Sequence, residues 1–246
     1  MKKIIITTRK DTSAEIFRKN GWGVFLYDSI NNSIFEQKNN IVYYRDPFND
    51  VSYKPNEQKI NTLMNKLNCL RSIDNIGSFK DLVSIEDKWL QAKKYEKYMP
   101  KTKLFSQINF IPGKHITKKR ISQRAKDILF ELNNQKLDDN WIVQELLAIE
   151  EELRVYAVFG DVVSEATIKT SKQYGKVKVI GGRRLKADEI EVCESIAKIS
   201  GLDFIGIDLA ILKNGEVKML EVNRSPQFSR FVEIFGEKPL EIILKI

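Results

Sequence analysis

Residues 203–226, DFIGIDLAILKNGEVKMLEVNRSP, carry two carboxylates and an amide at a spacing that suits a hard metal ion. Ile205 to Leu212 and Val217 to Asn223 are β-branched and leucine-rich, and Asn214-Gly215 between them is a tight-turn signal. With those two residues central to the turn, Lys213 pairs with Glu216, Asp208 faces Glu221, and Gly206 faces Asn223. Strand side chains alternate with period two, so Asp208, Glu221 and Asn223 share one face. Ile205, Ile207, Leu209 and Ile211 then form an apolar face with Leu220 and Val222. Two carboxylates directly opposed on a sheet repel unless a cation stands between them. Carboxylate and amide oxygens suit Mg²⁺, with Mn²⁺ as a substitute, rather than zinc, and Mg²⁺ usually keeps positions for phosphate oxygens. The plainer reading is a hairpin whose acids face solvent.

Gly-Ile-Asp at 206–208, Leu-Glu-Val-Asn at 220–223 and Ser-Pro at 225–226 together resemble the carboxy-terminal signature of the ATP-grasp carboxylate–amine ligases, above all the RimK and glutathione-synthetase branch. The resemblance implies an α/β (α+β) ATP-grasp fold with a small preceding Rossmann-like lobe. It implies ATP as cofactor, and Mg²⁺ held by Asp208, Glu221 and Asn223, with Asn223 also counted among the catalytic residues.

The elements that must position these groups lie upstream. Ile4–Thr8 reads as a buried strand, Ser13–Asn20 as a short helix, and Val24–Tyr27 and Ile41–Tyr44 as further strands. Asn56–Leu70 is a helix with Ile60, Leu63, Met64 and Leu67 on one stripe. Neither a dinucleotide fingerprint nor a P-loop follows the first strand. Glu86 to Met99 forms a helix ending at Pro100, and its Asp87-Lys88 opening and Pro100-Lys101-Thr102 close resemble the family's DK…PKT segment. That likeness implies that Lys88 reaches the ATP phosphates. His115–Lys118 reads as a strand and Ala125–Leu132 as a helix; by the same likeness Lys118 is the strand lysine before the lid. The family's lid loop is glycine-rich, whereas Arg120, Ser122, Arg124 and Lys126 stand here, which implies a lid that binds through side chains. Trp141–Leu147 is an apolar strand interrupted by Gln144 and Glu145. It resembles the hinge whose backbone, at Glu145, Leu146 and Leu147, recognises adenine. Glu152 then falls where relatives place a carboxylate on the ribose hydroxyls, and Arg154 points toward the same cleft. Val158–Val163 reads as a hairpin around Gly160-Asp161. Arg183 and Arg184 follow paired glycines and are candidates for holding a carboxylate or an acyl phosphate, whose geometry a guanidinium fork matches. Ala187–Ser200 is a helix stopped by Gly201, and Ser229–Ile246 a helical cap broken near Gly236 and Pro239. The expected division is 1–85 for the first lobe, 86–143 for the lid lobe and 144–246 for the lobe with the metal hairpin.

Composition narrows the classes. The 246 residues are 42% hydrophobic and 30% charged, an ordinary globular balance with no apolar run long enough for a membrane helix. The opening MKKIIITTRKD reads as a first strand, not a signal peptide. Cys69 and Cys193 are isolated, which suits a reducing cytoplasm. His115 is the only histidine, so a histidine zinc site is excluded and a Ser-His-Asp triad is discounted. The net charge of +8 is clustered: residues 114–126 hold six Lys or Arg and no acid, and residues 166–187 hold seven and no acid. Such runs point to an anionic partner: phosphates, an acidic substrate, or nucleic acid as the weaker choice, since only Tyr174 interrupts them for base stacking.

The reaction implied is ATP-dependent amide or peptide bond formation through an acyl phosphate, with a small-molecule or peptide carboxylate and an amine as substrates and a homo-oligomer compatible with it. Two alternatives stand beside it: a kinase on the same fold, and a non-catalytic ATP- or nucleic-acid-binding regulator.

Overall fold

The computed structural model describes residues 2–8, 11–27, 30, 36, 39–45, 57–67, 70–74, 76, 78–110, 114–121, 128–130, 137–170 and 178–245. The first lobe contains β1 (Lys3–Thr7), α1 (Ala14–Lys19), β2 (Gly23–Leu26), β3 (Ile41–Tyr44), α2 (Glu57–Leu67), β4 (Arg71–Ile73) and α3 (Phe79–Glu86). Its strands pair in parallel in the order β2-β1-β3-β4. The unbroken isoleucine run of β1 is what a parallel strand covered on both faces requires. Ile4 and Ile6 pack with Val42, Ile60, Leu63 and Met64 on one side, and Ile5 packs with Phe17, Trp22 and Tyr43 on the other. The α2 stripe is therefore core, with the Leu67 side chain outside the described set. The three-residue β4 is an addition to the sequence reading.

The helix expected over Glu86–Met99 is not continuous. The structure ends α3 at Glu86, and α4 (Lys88–Lys94) starts afresh after Asp87, followed by turns to Met99. Asp87 is the cause: its backbone is extended (φ −76°, ψ 111°) and its carboxylate accepts from the N–H groups of Trp89 and Leu90, capping α4.

β5 (Thr102–Leu104), a 3₁₀ segment (Phe105–Phe110), β6 (His115–Lys119), β7 (Ile128–Leu129) and β8 (Trp141–Glu145) build a small antiparallel sheet, ordered β5-β8-β6-β7. Here the expected helix over Ala125–Leu132 is corrected: Ile128 and Leu129 are a strand, paired with Lys118 and Thr117. Ser122, Arg124 and Lys126 lie outside the described residues.

β9 (Ile149–Val158), β10 (Asp161–Val162), β11 (Glu165–Lys169), β12 (Val179–Arg184), α5 (Ala187–Ser200), β13 (Phe204–Leu212) and β14 (Val217–Asn223) form the large lobe. Its main path runs β12-β11-β9-β13-β14, with β10 paired to β9. The β9–β10 hairpin turns at Phe159-Gly160, both at positive φ, one residue before the expected centre. α5 buries Cys193, Ile196 and Ala197 against Leu153, Val155, Ile205 and Ile207, and burial pushes the Cys193 thiol up to about 12, an unreactive thiol. The C-terminal α6 (Ser229–Phe235) and α7 (Glu241–Lys245) flank a 3₁₀ turn at Lys238–Leu240.

The opposite face of the large sheet joins the first lobe. Tyr156, Val158 and Phe204 meet Phe228, Phe231 and Leu240, and the same cluster includes Ile5, Phe17 and Tyr43. Polar groups reinforce that joint beside the end of β14. Arg224 Nη1 donates to the Tyr44 carbonyl at 2.6 Å, and Arg45 Nη2 donates to the Pro226 carbonyl at 2.8 Å while Nε pairs with buried Asp11 at 2.6 Å. The first lobe thus braces the loop that leaves the metal-seeking strand. Among the described residues no helix is long and apolar enough to cross a membrane.

Candidate active site

The site begins at the β13–β14 hairpin. Asp208 is paired with Glu221, and Gly206 with Asn223, as the turn signal predicts. The path to that register differs. Leu212 N–H bonds to the Glu216 carbonyl at 2.9 Å, so the turn holds three residues, Lys213–Gly215, with Gly215 at φ +83°. A bulge after Asp208 then offsets the longer turn, since Leu209 pairs with Met219 and Leu220 is the extra residue. Leu220 is accordingly half-buried, and Met219, fully buried, takes its expected place in the core with Leu209, Ile211 and Val222.

Strand pairing extends the face carrying Asp208 across two more strands. Arg154 on β9 is directly opposite Asp208, Thr167 on β11 is opposite Arg154, and Lys169 is opposite Glu152. The Arg154 guanidinium donates to both Asp208 oxygens, through Nε to Oδ1 and through Nη2 to Oδ2 at 2.8 Å. Lys169 Nζ stands 2.9 Å from the same Oδ2. Burial alone would raise the Asp208 pKa, yet the Arg154 and Lys169 charges hold it well below the usual carboxylate range. Asp208 is an anion here. Gly206 allows this packing: a Cβ there would lie 2.6 Å from Pro226 Cβ and 3.2 Å from Arg154 Cδ.

Two lysines face the trio from the other elements. α4 brings Lys88 Nζ to 3.5 Å from Glu221 Oε1. β6 carries Lys118, whose ammonium donates to Gln144 Oε1 at 2.8 Å, while Gln144 Nε2 donates to Thr102 Oγ1 at 3.0 Å. Burial pushes the Lys118 pKa down to about 8; Glu221 opposes that shift, Lys88 adds to it, and Glu152 and Asp208 oppose it more weakly. Lys118 therefore lies within electrostatic reach of Glu221, Lys88, Glu152 and Asp208. Gln144 is committed at both ends of its carboxamide, so it orients Lys118.

Not every expected group joins the cleft. Arg183 pairs with Ala166 in register, on the α5 side of the sheet, where it donates to Glu151 Oε2 (2.6 and 2.8 Å) and to both oxygens of Glu189 (2.7 and 2.8 Å). It clasps β12 to α5 and does not face Asp208. Arg184 is 85% exposed at its side chain. Arg120 does not reach into the cleft as a lid residue; it grips Asp87, Nη2 to Oδ2 at 2.5 Å, and its carbonyl accepts from Lys88 N–H at 3.0 Å. The root of the lid is thereby tied to the start of α4. In the hinge, Glu145 and Leu146 spend their N–H groups on the Lys101 and Lys114 carbonyls, at 2.9 and 3.0 Å. Lys169 is the cleft residue missed in the sequence. Its signal was the alternation of Ala166 and Ile168, buried or packed on the core, with Thr167 and Lys169.

Asp208, Glu221 and Asn223 fit Mg²⁺ in their donor chemistry, all three offering oxygen. Asn223 Nδ2 is buried without a hydrogen-bond partner, so its carboxamide is not committed to the fold through that atom. Among the described residues no three His, Cys, Asp or Glu side chains form a cage of their own.

A family model for the RimK-like ATP-grasp domain matches residues 99–242. Among solved structures, the ATP-grasp ligase PsnB, complexed with a phosphomimetic variant of a minimal precursor, Mg and ADP, is similar with a TM-score of 0.73 and 15% identity, over 99% of this chain and 98% of that one. The D-cycloserine synthetase DcsG gives 0.66 at 13% identity over 100% of both chains. N5-carboxyaminoimidazole ribonucleotide synthetase from Thermotoga maritima gives 0.63 at 16% identity, covering 100% of this chain and 76% of that one. No curated protein matches the chain in sequence. The structural likenesses speak for the fold; the family match spans more than half of the sequence and includes β13 and β14, and the chain belongs to the RimK-like ATP-grasp family.

Proposed function

We propose that the chain is an ATP- and Mg²⁺-dependent carboxylate–amine ligase. The γ-phosphoryl group of ATP passes to an oxygen of a substrate carboxylate, giving an acyl phosphate and ADP. The nitrogen of an amine, having lost a proton, then bonds to the acyl carbon as phosphate leaves, so an amide is formed. The observation that carries this reading is the gathering of Asp208, Glu221, Arg154 and Lys169 on one sheet face, with Lys88 of α4 beside Glu221 and Lys118 of β6 within electrostatic reach of both carboxylates.

Asp208, Glu221 and Asn223 would hold Mg²⁺, which supplies charge neutralisation at the phosphate oxygens. Lys88 and Lys118 meet the phosphates as flexible point charges, and Gln144 keeps Lys118 aimed. The hinge backbone over Glu145, Leu146 and Leu147 would read the adenine edge, and Glu152, on the same sheet face as Arg154, would take the ribose hydroxyls. Lys169 is placed to turn from Asp208 toward the group being transferred. Catalysis of this kind rests on positioning and charge stabilisation and needs no protein nucleophile.

A peptide is the favoured substrate class. PsnB is described with precursor peptide PsnA2 and MdnC from Microcystis aeruginosa MRC with precursor peptide MdnA, which supports peptides without fixing one for this chain. The acid-free stretch at 166–187 favours an acidic one. The test is ADP release over a panel of amino acids, sugar acids and acidic peptides paired with amines, followed by mass spectrometry. An amide product with loss of water relative to the substrates supports the ligase; a phosphorylated product with no amide contradicts it.

A further inference from the structure

We infer that Gln91 is a positioning residue of the nucleotide site, setting the gap between Lys88 and Glu221; the inference rests on the ligase reading above. β14 is an edge strand of the large sheet, so its main chain offers hydrogen-bonding groups to whatever lies beside it. Between Glu221 and Asn223 that neighbour is one side chain. Gln91, 3% exposed, accepts from Val222 N–H at its Oε1 (2.9 Å) and donates from Nε2 to the Val222 carbonyl (2.9 Å), as a paired strand would. Nε2 also donates to the Ile85 carbonyl near the end of α3, at 2.8 Å, so both amide hydrogens are used. Farther along the edge, Met219 N–H donates to the Tyr98 carbonyl at 2.8 Å.

The carboxamide is thus tied to the one residue flanked on both sides by metal-ligand candidates. Lys88 lies three residues before Gln91, one turn away on the same helix face. A helix that slid or tilted on the β14 edge would carry Lys88 away from the 3.5 Å it now keeps from Glu221 Oε1. An apolar side chain of similar length would fill the space but leave the Val222 and Ile85 groups buried and unpaired. Lys94 provides an internal control, because it ties the other end of α4 to the Ser200 carbonyl at the end of α5, at 3.0 Å.

The experiment measures binding of MgATP and of adenosine, by calorimetry, to wild type, Gln91→Met and Lys94→Ala, with thermal unfolding of each. Gln91→Met is expected to weaken MgATP binding about tenfold while adenosine changes less than about twofold, the size of one lost buried hydrogen-bonding arrangement felt only at the phosphates. Lys94→Ala is expected to lower the unfolding temperature and leave both affinities alone. Equal weakening of MgATP and adenosine, or no weakening of MgATP, by Gln91→Met overturns the positioning role. If Gln91→Met does not fold, Gln91→Glu, which keeps the bond accepted from Val222, is read in the same assay against the same outcomes. A wild-type protein that binds no MgATP overturns the proposed function and the positioning role together.

Discussion

Arg154 stands directly across from Asp208 on the neighbouring strand, and its guanidinium donates to both carboxylate oxygens. This pairing settles how two opposed carboxylates can share a sheet face before any metal arrives. Asp208 is neutralised from the β9 side by Arg154 and from β11 by Lys169, and Glu221 is met from α4 by Lys88. The cost of the Asp208–Glu221 juxtaposition is therefore offset by the chain's own cations.

Removing Arg154 should expose that dependence. Arg154→Leu leaves a buried carboxylate with Lys169 alone, and a loss of roughly 3 kcal/mol at neutral pH is expected in urea unfolding. The sign of its pH dependence follows from Asp208. Burial favours the neutral acid, but Arg154 and Lys169 prevail and hold the folded pKa below the ordinary 3.8, so the stabilisation is fully present above 3.8 and is lost as pH falls from there through the lower folded pKa. The gap between wild type and variant should close below about pH 4. A gap that stays constant into stronger acid contradicts the pairing's role.

Lys118 should make nucleotide binding pH-dependent in the opposite direction. Burial lowers its pKa from 10.5 to about 8, so above that pH the nucleotide-free protein holds a neutral amine. Phosphates favour the ammonium form. ATP binding should therefore take up a proton and weaken as pH rises beyond about 8, by up to about tenfold per unit. Between about 8 and 10.5 the unfolded chain keeps the proton that the folded one has lost, so stability of the nucleotide-free protein rises over the same window. Calorimetry in buffers of different ionisation enthalpy reads the uptake directly, and Lys118→Met should abolish it. ATP affinity that is flat across this range in wild type rules the assignment out.

Arg183 separates a clasp from a substrate contact. With Glu151 and Glu189 as its partners, Arg183→Leu should cost roughly 3 kcal/mol of stability and leave the KM for the carboxylate unchanged. Lys178→Glu with Arg184→Glu, both exposed, should instead raise the KM for an acidic substrate, less so at high salt, because exposed charges are screened over about 8 Å at physiological ionic strength. A raised KM in Arg183→Leu alone, at unchanged stability, reverses the placement.

Gly206 is a position where one methyl group should be felt. Gly206→Ala would put a Cβ 2.6 Å from Pro226 Cβ, so the 224–227 loop or Arg154 must move. A loss of roughly 1–3 kcal/mol in unfolding, with lower turnover, is expected. Wild-type values for both would mean that the crowding is relieved without consequence.

The placement of the candidate trio is legible because it follows strand parity. The Asn214-Gly215 turn signal and the Ile205–Ile211 alternation place Asp208, Glu221 and Asn223 on one face, and the structure agrees. It agrees by compensation, since a three-residue turn and the Leu220 bulge each shift the register by one, and nothing local in the sequence announces either. The parity of Arg183 is not legible locally, because it follows from how β11 and β12 pair, which sets Arg183 opposite Ala166. Asp87 could have been recognised as a cap that starts a new helix at Lys88, but the apolar spacing on either side masks the break. The partners of Lys169 and Gln91 are 39 and 131 residues away, so local sequence does not reveal either pairing. The first lobe was read from the isoleucine run of β1, whereas β4 is too short to carry a periodic signal.

The most direct measurement is the MgATP turnover of Glu221→Gln and Asp208→Asn against wild type, with folding of each verified by circular dichroism, in the presence of a carboxylate and an amine that wild type joins. Electrostatic stabilisation of a transferring phosphoryl group is commonly worth about 3 kcal/mol or more, so each folded variant should lose on the order of a hundredfold in ADP release. ADP release near the wild-type rate in both folded variants would contradict the assignment of the trio and the ligase mechanism built on it.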